Sequence, residues 1–67
     1  MHEITRDRAE AMINNYDVLN SRKILDNCII IISFCLSNEQ TLIVQYNMRK
    51  QHKAYFLEEN MLSGSHN

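Results

Sequence analysis

The side chains with the widest chemical reach in this chain are Cys28 and Cys35, the histidines His2, His52 and His66, the adjacent pair Glu58-Glu59, and the basic run Arg49-Lys50-Gln51-His52-Lys53. Nucleophilic catalysis needs a thiol or hydroxyl beside an oriented base, and general acid–base chemistry needs tuned groups facing one another in a cleft. The spacing here offers neither. Cys35 lies next to a polar turn, and only chance would bring His52 to it. Glu58 and Glu59 are consecutive, so on a helix or a strand they point in different directions and form no carboxylate pair. No G-x-S-x-G, H-E-x-x-H or P-loop pattern is present. The expectation is a protein without catalytic residues and without a cofactor.

The cysteines do not change that expectation. On one extended strand Cys28 and Cys35 stand about 23 Å apart at ~3.3 Å per residue, and on opposite faces because their separation is odd. An intrachain disulfide between them is excluded. They read as small apolar side chains in a reducing, cytoplasmic setting. No C-x-x-C or H-x-x-x-H spacing exists and the histidines are scattered, so no metal site is expected.

The basic run is the one feature pointing to nucleic acid. Arg49, Lys50, His52 and Lys53 precede Tyr55 and Phe56. Clustered cations grip phosphates, and aromatic rings stack on unpaired bases. On a helix Arg49, Lys50 and Lys53 would share one side. Against this stand a net charge of -1, a pI near 6.2 and the absence of helix-turn-helix or RNP-like patterning. The plainer account is a solvated turn or helix start that keeps an apolar chain soluble.

The elements that position these residues are organised around NCIIIISFCLSNEQTLIVQYNM, residues 27–48, with its isoleucines Ile29, Ile30, Ile31 and Ile32. β-branched side chains suit a pleated surface, and the apolar run 28–36 is far shorter than the roughly 20 residues of a bilayer-spanning helix. The spacing predicts a strand over 28–36, a four-residue polar loop over 37–40 built on a type I turn, and a strand over 41–48. The second strand is one-sided, with Leu42, Val44, Tyr46 and Met48 on the apolar face. The first is apolar on both faces, which is the pattern of a strand lying between two layers.

Upstream, Thr5 is a natural N-cap, and Ala9, Met12, Ile13, Tyr16 and Leu19 recur at helical spacing. A helix over 6–19 is predicted, with 1–4 frayed. Residues 22–25 suit a helical turn or a strand entry equally. Downstream, a helix over 49–62 is favoured over a third strand, because Ala54, Leu57 and Met61 align and Gly64 offers a C-terminal stop. Tyr55-Phe56 and the charge order argue the other way. Residues 63–67 are expected to be flexible. The predicted fold class is α+β: a single small α-β-β-α domain, or α-β-β-β if the last helix fails, with an antiparallel hairpin packed on helix.

A chain of 67 residues is near the lower limit for a self-sufficient core, and it gains most from oligomerisation. It can cover one face of its hairpin, but two faces are hard to fill. A second copy is therefore expected to complete the sheet as a homodimer. The N-terminus has no apolar core of a signal peptide, and no membrane partner is expected. By elimination the function is that of a small interaction protein: a regulator, inhibitor or adaptor, an accessory protein acting on another protein's surface. Ile29, Ile31, Tyr46, Met48, Tyr55 and Phe56 are its candidate contact residues. Nucleic-acid binding through Arg49, Lys50, His52 and Lys53 is the alternative.

Overall fold

The isoleucine run becomes the interior of a sheet. The computed structural model describes residues 1–59, which form β1 (His2–Ile4), α1 (Arg6–Asn15), β2 (Val18–Asp26), β3 (Ile29–Leu36), β4 (Gln40–Asn47) and β5 (His52–Glu59). The sheet is five-stranded and antiparallel in the order β1-β5-β4-β3-β2. It is a small domain of one sheet and one short helix, within the expected α+β class but dominated by strand.

The predicted hairpin is present as β3 and β4, with Ile32 opposite Val44 and Phe34 opposite Leu42. Its loop is tighter than expected. Ser37, Asn38 and Glu39 make the reversal, with the Glu39 N–H donating to the Leu36 carbonyl at 3.1 Å. Glu39 takes a left-handed φ of 68°, the geometry of a three-residue loop that ends in a bulge. The Asn38 Oδ1 accepts from the Gln40 N–H at 3.2 Å and holds the turn from its far side.

Three expectations are corrected. First, the predicted helix over 6–19 stops at Asn15. Asn14 and Asn15 have weak helix propensity, Tyr16 is already extended, and Asp17 is tied to the hairpin loop. The Ser37 N–H donates to the Asp17 carbonyl at 2.9 Å, and the Asp17 N–H donates to Ser37 Oγ at 3.1 Å. Leu19, assigned to the helix stripe, lies instead in a strand and is 70 % exposed. Residues 22–25, left open between helix and strand, are part of β2.

Second, the favoured C-terminal helix is absent over the described part of 49–62. Residues 52–59 are β5, paired along its whole length with β4, with Ile43 opposite Phe56 and Val44 opposite Tyr55. Asn47 Oδ1 accepts from the Arg49 and Lys50 N–H groups at 3.1 Å each, and Gln51 takes a φ of 53°, so the first part of the basic segment is spent on a turn. The third strand held as the alternative is therefore the one present, and β1 and β2 are what set the full order apart from the two expected. Met61, Leu62 and the Gly64 stop lie outside the described residues, as does the segment 63–67. Third, residues 1–4, expected to fray, contain β1, which pairs with β5 through Ile4 opposite Tyr55.

The helix starts as the sequence suggests. Thr5 is the N-cap, its hydroxyl accepting from the Arg8 N–H at 3.1 Å. Arg6 Nε donates to Glu10 Oε2 at 3.0 Å, which raises the already high Arg6 pKa. The pair is solvent-exposed and contributes little to stability. What holds α1 is its inner face: Ala9 and Met12 close over Leu36, Leu42 and Leu57 from three adjacent strands.

Among the described residues these five are the only buried apolar side chains, and Leu42, with no exposure, is at their centre. Leu42→Ala is expected to cost about 2–5 kcal/mol, a large part of the stability of so small a domain, measured by urea unfolding. Glu39→Gly, relieving a left-handed residue with a Cβ, is expected to raise stability by about 1 kcal/mol in the same measurement. A decrease would mean that the loop geometry is not the one described.

Candidate functional site

Alternation along each strand, carried across the register, sorts the sheet into two faces. The face under α1 holds Ile30, Ile32, Phe34 and Leu36 of β3, with Tyr46, Val44 and Leu42 of β4 opposite them, and Tyr55 and Leu57 of β5 beyond. The far face holds Ile29, Ile31, Ser33 and Cys35 of β3, flanked by Ile24 of β2, Ile43 of β4 and Phe56 of β5.

Neither face is fully covered. A ten-residue helix is ~15 Å long, whereas an eight-residue strand runs ~26 Å. Placed over Leu36, Leu42 and Leu57, α1 leaves the other end of its own face open. There a groove of about 440 Å³ is lined by Lys23, Ile30, Ile32, Val44, Tyr46 and Lys53. Its floor is aliphatic and aromatic, and a lysine stands on each side, one from β2 and one from β5. The far face carries no described element at all. Ile29, Ile31, Ile43 and Phe56 on it are only half-buried, and no described element lies above them.

The candidate contact residues divide between these surfaces. Ile29, Ile31 and Phe56 lie on the far face. Tyr46 and Tyr55 lie on the helix face, Tyr46 in the groove and Tyr55 packed against the small core. Met48 belongs to neither: it sits in the β4–β5 turn, 40 % exposed, its N–H donating to the Cys28 carbonyl at 2.8 Å. The structure thus gathers no single cluster from the six.

The basic run is likewise divided, contrary to the shared helical side expected for it. Arg49 and Lys50 are at the tip of a turn. His52, opposite Asn47, belongs to the far face, and Lys53, opposite Tyr46, belongs to the helix face. A strand sends neighbours to opposite sides, so the cation spacing that a helix would have aligned is lost.

Cys28 is in the turn between β2 and β3 and Cys35 is on the far face, both free thiols and half-buried. Among the described residues no three His, Cys, Asp or Glu side chains gather as a metal-binding group, and no helix is long and apolar enough to cross a membrane.

The groove was missed in the sequence because it depends on helix length. Ile30, Ile32, Val44 and Tyr46 show the period of a buried face, and nothing in their spacing reveals that α1 ends before reaching them. Comparison with known protein families, with curated proteins and with solved structures finds no match to this chain.

An anionic, apolar dye such as anilinonaphthalene sulfonate complements this groove in both charge and polarity. The folded protein is expected to enhance its fluorescence, and Ile32→Asp, which places a carboxylate on the groove floor, should remove most of that enhancement. Equal enhancement in a folded Ile32→Asp variant would mean that the dye sits elsewhere.

Proposed function

We propose that this chain is a non-enzymatic protein-interaction module, a small regulator, inhibitor or adaptor, and that it works as a homodimer. The observation that supports this reading is the imbalance between covered and uncovered apolar surface. Among the described residues only Ala9, Met12, Leu36, Leu42 and Leu57 are buried, while both faces of the isoleucine-rich strand remain partly open. Contiguous apolar surface of that kind on a small domain marks a contact site, and a second chain is the usual means of covering it.

Self-association through an open strand edge leaves both faces free, and these remain for a foreign protein. The groove, with its aliphatic floor and flanking lysines, suits an apolar segment carrying acidic groups. A cytoplasmic setting, in which Cys28 and Cys35 stay reduced, belongs to the same proposal.

Light scattering behind a sizing column across a dilution series tests the self-association. The expected mass at high concentration is twice the 7.9 kDa of the chain, falling toward one chain on dilution. A mass of one chain at every concentration would remove the homodimer from the proposal.

A further inference from the structure

The uncovered faces are not the only unfinished surface. β2 ends the strand order, so no described strand lies on its outer edge, and all nine of its residues are exposed. Leu25, 64 % exposed, and Ile24, 47 % exposed, stand on opposite faces of this edge.

The backbone of β2 is presented in a definite phase. β2 and β3 are joined by Asn27-Cys28, with Asp26 opposite Ile29 and Asn27 at a φ of 59°. In such a two-residue hairpin the closing pair exchanges both hydrogen bonds, and the pairs then alternate along the ladder. Asp26, Ile24 and Arg22 therefore direct their N–H and C=O groups toward β3. Leu25, Lys23 and Ser21 direct theirs outward, where no described strand receives them. Toward its N-terminus the edge is spoiled by a bulge between Val18 and Asn20, a feature that blocks pairing. The usable edge is the regular segment from Ser21 to Asp26.

We infer that this segment pairs antiparallel with the same segment of a second copy, about a two-fold axis at Ile24, which places Arg22 of each copy opposite Asp26 of the other. The charges select this register. Antiparallel self-pairing keeps the faces matched only when the axis passes through a residue. An axis at Arg22 sets two guanidinium groups against each other, and an axis at Lys23 sets two ammonium groups against each other. An axis at Leu25 leaves too few pairs, and one at Ser21 runs into the bulge. The axis at Ile24 gives two opposite-charge pairs, Lys23 beside Leu25 on the helix face, and Ile24 against Ile24 on the far face.

The consequences extend inward. Ile24 stands opposite Ile31 within one copy, so the seam creates a continuous row Ile31–Ile24–Ile24–Ile31 across the far face. On the helix face, Leu25 lies beside Ile30 and Lys23 beside Ile32, so the two grooves meet at the seam while the two helices stand at its outer ends. The result is a ten-stranded sheet whose helix face carries one shared apolar surface. This inference rests on the proposed homodimer and names the surface and register that form it.

Charge reversal tests the register in the full chain by sedimentation equilibrium. Arg22→Asp and Asp26→Arg are each expected to weaken dimerisation on the order of tenfold or more, because each turns two attractive pairs into two repulsive ones. The double variant R22D/D26R should recover most of that loss. The axis is tested independently in a background with Cys28→Ser and Cys35→Ser. Ile24→Cys should form an interchain disulfide under mild oxidation, since facing residues of a non-hydrogen-bonded pair lie within disulfide reach. Arg22→Cys, opposite Asp26, should not.

A dimer indifferent to the charge reversals but dispersed by Ile31→Asp would mean that copies join through their far faces. That outcome overturns this inference and leaves the homodimer standing. Single reversals that weaken the dimer without recovery in the double variant would overturn the register. A chain that is monomeric at every concentration would overturn both.

Discussion

The constraint from which the rest follows is the hydrogen-bonding demand of β3. A strand of Ile29, Ile30, Ile31, Ile32, Phe34 and Leu36 is too apolar to leave its backbone to water, and each of its peptide groups must find a partner on one edge or the other. A single hairpin with β4 satisfies one edge. The second edge has to be met by another strand, and the only chain at hand is the segment before it. That demand draws residues 18–26 into β2 and takes the end of the predicted helix with them. The same logic works outward on the other side, where the free edge of β4 recruits β5 and β5 recruits β1. Local propensity was overruled wherever it conflicted with this ladder.

Stability and interaction are linked through the size of α1. A helix spanning the full length of the strands would have buried Ile30, Ile32, Val44 and Tyr46 and built a larger core. The helix present ends at Asn15, anchored through Asp17 to the hairpin loop at Ser37. Among the described residues the result is a core of five buried side chains at one end of the sheet and a lysine-flanked groove at the other. A small domain that leaves this much apolar surface open has little stability to spare, and covering that surface would add to it.

The three hairpin reversals are made without glycine. Asn27, Glu39 and Gln51 each take a left-handed φ, and the chain's one glycine, Gly64, is in none of these turns. Asparagine tolerates this region, whereas glutamate and glutamine occupy it at a cost of about 1–2 kcal/mol each. The ladder and the side-chain clasps of Asn38 and Asn47 hold them there. Without the usual Asn-Gly or Gly-X pair, the turns gave weak signals in the sequence, and the β4–β5 turn read equally as the start of a helix.

Several features are determined by the sequence alone. The alternation of Leu42, Val44 and Tyr46, the β-branched run before it and the polar break at Ser37-Asn38-Glu39 specify the central hairpin, because strand period and turn chemistry are local properties. Thr5 and the spacing of Ala9 and Met12 specify the start and inner face of the helix for the same reason. What the tertiary structure decided is where non-local pairing competes with local preference. Leu19 fits a helical stripe and Leu57 fits another, yet both lie in strands, because the open edges of a neighbouring apolar strand are a stronger requirement than one more turn of helix. The candidate site follows the same division. The sequence marks Ile29, Ile31, Tyr46 and Phe56 as apolar surface in search of cover, but which face each occupies depends on register. Which of them stays open depends on the length of a helix that only the folded sheet brings to an end.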